Sequence, residues 1–128
     1  MHKNAIVLLC DGSTKENTWG VGVSSVCASE NWDVGGMARD IPILLEGKGH
    51  IDVSVAETLC IIFGLIIGSW LGHEEKTLVI VNDRMTMLTS FIKQKNVRTT
   101  LYIAMRVMEH LINECTNYYA SVQFVIRK

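Results

Sequence analysis

Proline is nearly absent: Pro42 is the only one in 128 residues, so little interrupts regular elements outside its own neighbourhood. Cysteine is sparse and poorly spaced for a framework. The four cysteines stand at positions 10, 27, 60 and 115, no two with C-x-x-C spacing, and Cys10 and Cys60 lie inside apolar runs. This argues against disulfides or a zinc site and for buried reduced thiols, hence a reducing, cytoplasmic setting. There is no excess of positive charge. A formal net charge of −1 argues against a strongly electropositive nucleic-acid binder but leaves room for a local basic patch. The apolar run after Met-His-Lys-Asn stops at Asp11, too soon for a secretory signal. The longer run 53–72 approaches the length of a membrane span, but it contains Glu57 and is flanked by Asp52 and His73-Glu74-Glu75, without a Lys/Arg cluster. A buried helix and no membrane association are expected. Repeats, low-complexity tracts and linkers are also lacking, so residues 1–128 read as a single domain.

What is present is a chain rich enough in apolar residues to fold: 48% hydrophobic and 20% charged. Residues 4–10 are apolar without alternation, as in a strand covered on both faces. Asp11-Gly12-Ser13 reads as a turn. Valines alternating with small residues over 19–26 predict a second strand. A third is expected around 34–45, with Pro42 at an edge or end. Residues 52–71 predict the central helix, with Ser54 as N-cap, Glu57 as its capping-box partner and Gly72 closing it. A strand is expected at 77–81, a short helix at 85–94, a longer helix at 99–113 and a closing strand at 121–127. Glu74-Glu75-Lys76 reads as a solvated loop, Trp32 as a loop tip and Trp70 as core. The order is β-β-β-α-β-α-α-β: an α/β fold with a mixed five-stranded sheet and flanking helices.

Three carboxylates stand where buried elements begin or end. Asp11 closes the first apolar run, Asp83 follows the run 77–82, and Glu57 is the only charge in the run 53–72. Ionised carboxylates beside a core are costly unless a positive group compensates. If the first and fourth strands are parallel neighbours, Asp11 and Asp83 leave the sheet at the same carboxyl edge, where ligands of α/β sheets collect. Glu57 in the first turn of the helix can face that edge. Three hard oxygen donors around one point suit Mg²⁺ or Mn²⁺.

These residues resemble the ribonuclease H family. The likeness rests on Ile6-Val-Leu-Leu-Cys-Asp11-Gly-Ser13 in the first strand, Ala56-Glu57-Thr-Leu-Cys-Ile-Ile-Phe-Gly64-Leu65 in the first helix and Val79-Ile-Val-Asn-Asp83 in the fourth strand, in that order, over nearly all of residues 4–127. The resemblance implies a ribonuclease H-like fold and a metal-dependent nuclease that cleaves the RNA strand of RNA–DNA hybrids. Asp11, Glu57 and Asp83 would then be metal ligands and catalytic residues, and Ser13 a weaker candidate for holding phosphate or sugar. The family's fourth carboxylate lies on a helix after the fifth strand, preceded by a loop histidine. Neither has a counterpart before Arg127-Lys128, so a second metal position is expected to lack a ligand unless a second subunit, Asp52 or Glu46 supplies it. The basic group Lys93, Lys95, Arg98 and Arg106 is modest.

Plainer roles exist for each residue. Asp11 suits a turn before Gly12, Glu57 a capping box, and Asp83 a cap for the following helix. The alternative function is a catalytically impaired ribonuclease H-like module for binding or assembly, as a homodimer or with a partner protein.

Overall fold

The structure, a computed structural model, describes residues 4–26, 30–40, 53–82 and 99–126. The elements are β1 (Ala5–Lys15), β2 (Thr18–Ser25), β3 (Asn31–Met37), a 3₁₀ turn (Ala38–Asp40), α1 (Val53–Leu71), β4 (His73–Asn82), α2 (Thr99–Cys115) and β5 (Tyr119–Ile126). They form one mixed sheet in the order β3-β2-β1-β4-β5. The first three strands are an antiparallel meander, and β4 and β5 add in parallel. The expected α/β architecture is therefore present. The helix expected at 85–94 lies outside the described residues.

Several local expectations are corrected. Asp11-Gly12-Ser13 is not a turn: these residues pair with Gly22, Val21 and Gly20 of β2. The chain reverses at Glu16-Asn17, because Lys15 pairs with Thr18 across a two-residue loop. Glu16 takes φ 54°, and no other described non-glycine residue has positive φ. A positive φ at the first loop position alone fits a type II′ hairpin, whose twist matches the strands it joins. β3 runs from Asn31 to Met37 and not over 34–45: residues 38–40 form the 3₁₀ turn, and 41–45 with Pro42 lie outside the described residues, while Trp32 is a strand residue packed against the core and not a loop tip. Glu74-Glu75-Lys76 belongs to β4, beside a register irregularity against β5, and is not a loop. Ser54 lies inside α1, which starts at Val53, and so does not occupy the N-cap. Trp70, expected in the core, is 72% exposed because it lies on the outer side of the last turn of α1.

Both described helices contribute to one core on one face of the sheet. Leu8, Val23, Ile61, Leu65, Leu78, Ile80, Met105 and Met108 are all but fully buried there. Each such side chain contributes about 1.5–3 kcal/mol through loss of apolar surface to water. Trp19 closes the β2 end of this core, stacked on Phe63 with centroids 6.3 Å apart, and its indole N–H donates to the Met37 carbonyl at 3.2 Å. A smaller cluster, Ala5, Val7 and Val79 with Val81 against it, forms separately. Among the described residues no helix is long and apolar enough to cross a membrane.

Glycines let α1 lie close to the sheet. A β-carbon on Gly64 would collide with Cys10 Sγ, and one on Gly68 would fall 2.6 Å from Leu78 Cδ2. Their four-residue spacing puts both on one helical stripe.

Candidate functional site

Three elements converge where β1 leaves the core. β1 and β4 run side by side in parallel, with Leu9 opposite Val81. The helix runs antiparallel to them: Cys60 meets Asn82, Gly64 meets Ile80 and Gly68 meets Leu78. Each step covers four helical residues, about 6 Å, and two strand residues, about 6.6 Å. Glu57, three residues before Cys60 and so in the preceding turn on the row beside this stripe, is half-buried.

Asp11 is exposed and lies within β1, not at its end. Cys10 points into α1, so strand alternation puts Asp11 and Ser13 together on the opposite face. Glycines stand opposite both: Gly22 pairs with Asp11 and Gly20 with Ser13. Ser13 Oγ lies 3.2 Å from the place a Gly20 β-carbon would take. Beyond Gly22 in the same cross-strand row is Asp33 of β3. Its Oδ1 leans to within 3.0 Å of where a Gly22 β-carbon would be. Sequence reasoning missed Asp33, because only the β2–β3 register puts it in the row of Asp11.

Asp83 directly follows Asn82 in the sequence and lies outside the described residues. Asp52 and Glu46 also lie outside them. Among the described residues no three His, Cys, Asp or Glu side chains form a group able to hold a metal ion.

Below the carboxylates is a buried polar node. Asn82, 6% exposed, directs its side-chain amide to the Cys10 carbonyl at 3.3 Å and to Cys60 Sγ at 3.5 Å. The Cys60 thiol is pushed far above the usual thiol range, first by its hydrogen bond with Cys10, then by burial, then by charge at Cys10 and Asp11; the Asn82 amide acts in the opposite direction. The candidate ligands Asp11 and Glu57 are carboxylates, and oxygen donors of this kind suit a hard divalent cation. Cys10, Cys60 and Cys115 are all buried free thiols.

The same architecture recurs among solved structures. The N-terminal RNase H domain of a Mycobacterium tuberculosis protein, fused to maltose-binding protein, aligns with TM-score 0.63 at 16% identity, over 98% of this chain and 84% of that one. The chain has a ribonuclease H-like fold. RNase H1 from the halophilic archaeon Halobacterium salinarum shares this fold with TM-score 0.59 at 14% identity, covering 96% of this chain and 86% of its own. LC11-RNase H1, solved in complex with an RNA/DNA hybrid, shares it with TM-score 0.65 at 15% identity, covering 95% and 86%. At these identities the ribonuclease H-like likeness is one of fold. No family model and no curated protein sequence matches the chain.

Proposed function

We propose that this chain is a divalent-metal-dependent nuclease that hydrolyses the RNA strand of RNA–DNA hybrids, with Asp11, Glu57 and Asp83 as ligands for Mg²⁺ or Mn²⁺. The observation that carries the reading is the parallel pairing of Leu9 with Val81. Asp11 and Asp83 follow these two residues by the same two positions, and Glu57 precedes by three residues the Cys60 that meets Asn82. RNA/DNA hybrid is bound by LC11-RNase H1, which shares the fold.

Bound there, the cation would lower the pKa of a water molecule and stabilise the leaving oxygen. The chain's own residues supply the remainder. Asp11, in β1 just past its pairing with β4, and Glu57, in α1, would supply negative charge to hold the cation, and the Asp11 backbone is fixed by its pairing with Gly22. Ser13, on the same face two residues on, offers a hydroxyl to a phosphate or sugar oxygen. Gly20 and Gly22 leave room for the Ser13 hydroxyl and the Asp33 carboxylate, which lean over them on that face.

The test is cleavage of a labelled RNA–DNA hybrid in Mg²⁺ and in Mn²⁺, with Asp11→Asn in parallel. Metal-dependent cleavage lost in the folded variant supports the reading. Cleavage undiminished in Asp11→Asn sinks it. No cleavage by the wild type in either metal favours instead a non-catalytic module for binding or assembly.

A further inference from the structure

We infer that Asn82 is the positioning residue of this site: its one side-chain amide sets the distance between the strand that bears Asp11 and the helix that bears Glu57. The inference rests on the nuclease reading above. It starts from an expensive feature, a primary amide that is 6% exposed. Burying such a group without partners is costly, so its bonds have structural consequences.

Two of those bonds tie the relevant elements together. The Cys10 carbonyl only accepts, so the NH₂ end of Asn82 must face it. That NH₂ carries two hydrogens, and its two partners lie on different elements: Cys10 O on β1 at 3.3 Å and Cys60 Sγ on α1 at 3.5 Å. Asn82 itself belongs to β4 and pairs with Ile126 of β5. One side chain thus joins three elements. Its partners are next to the candidate ligands in the chain: Cys10 adjoins Asp11, Cys60 is three residues from Glu57, and Asn82 precedes Asp83.

Two other described contacts lie at this junction. Gly64 allows close approach but supplies no directional contact. The Cys10–Cys60 thiol pair is soft and weakly bonding. An apolar side chain in place of Asn82 would leave the Cys10 carbonyl without this donor and let β1 and α1 settle at a different separation. The site would then be present but loosely held. Groups that orient metal ligands without touching the metal affect affinity by about 10–100-fold when removed.

Asn82→Leu and Asn82→Thr test this. Folding is checked by circular dichroism and thermal melting, Mn²⁺ affinity by electron paramagnetic resonance of free Mn²⁺, and hybrid cleavage by kinetics. Asn82→Leu is expected to weaken Mn²⁺ binding by roughly tenfold, with a matching rise in the Mg²⁺ needed for half-maximal cleavage and KM for hybrid within about twofold of wild type. Asn82→Thr keeps one donor and is expected to fall between the two, near a threefold loss by the same reasoning. If Asn82→Leu does not fold, Asn82→Thr carries the test alone. Wild-type Mn²⁺ affinity in the folded variants, or a loss confined to KM, overturns the positioning role while leaving the nuclease reading intact. A wild-type chain that neither binds Mn²⁺ nor cleaves hybrid overturns both.

Discussion

Gly64 of α1 rests directly against the sulfur of Cys10 in β1, with no space for a β-carbon between them. Helix propensity alone would favour Gly64→Ala by about 1 kcal/mol. The collision outweighs that gain, because overpacking a close-packed core costs about 1–3 kcal/mol. Gly64→Ala is expected to lower the urea midpoint, and Cys10→Ala in the same chain to restore much of the loss. A double-mutant cycle reads the coupling directly, and strictly additive effects would show that the two residues do not share this space.

Tyr119 gives a pH-dependent prediction. Its hydroxyl donates to the Gly68 carbonyl at 2.7 Å, and burial followed by charge at Cys115 raises its pKa from 10.0 to about 12. Burial followed by the Glu114 charge raises Cys115 from 9.0 to about 11. Both groups hold their protons more tightly in the folded chain, so the unfolded chain releases protons first as pH rises. Their contribution to stability is whole below about pH 9 and is lost towards pH 12. The urea midpoint should be level with respect to these groups at neutral pH and fall across that window. Tyr119→Phe should cost about 1 kcal/mol at neutral pH and show a shallower fall above pH 10, the ordinary tyrosine value.

The hairpin tip has room for improvement. Glu16 holds φ 54° at the first position of a two-residue loop, a conformation glycine adopts without a steric penalty. Glu16→Gly is expected to raise stability by about 0.5–1 kcal/mol, visible as a higher melting temperature. An unchanged or lower value would mean that the added backbone freedom of the unfolded chain cancels the relief.

One ion pair should matter little. Arg106 and Glu109 meet at 3.2 Å on the exposed side of α2. Solvated pairs of this kind contribute at most about 1 kcal/mol and often nothing measurable. Arg106→Gln should leave the chemical denaturation curve in place to within about 0.5 kcal/mol.

Much of the architecture was legible because the burial pattern is simple. The two-sided apolar character of the first and fourth strands follows from their central places in the order β3-β2-β1-β4-β5. The stripe Ala104, Met105 and Met108 identified the buried face of α2. Boundaries were less legible where turn chemistry was misleading. Asp11-Gly12-Ser13 has turn composition but is held in the ladder by its β2 partners, whereas the true turn at Glu16 carries no glycine. For the site, Asp11 and Glu57 stood out as lone charges at the limits of apolar runs. Asn82 did not, because its significance lies in hydrogen bonds to residues 72 and 22 positions away. Trp70 was misplaced for a related reason: a helix that is apolar nearly all round gives no sequence signal of which side faces water.

The extension of β1 past Asp11 has a consequence for how a cation would be met. Residues on to Lys15 stay paired with β2. A carboxylate on a frayed strand end would have to surrender backbone freedom on meeting a cation, about 1–2 kcal/mol per residue immobilised. Here the hairpin acts as a splint, and that freedom is already gone when the chain folds. The ordering of Asp11 is thus tied to the integrity of a turn several residues away, and loosening the tip at Glu16-Asn17 would reach the carboxylate without altering a single atom of it.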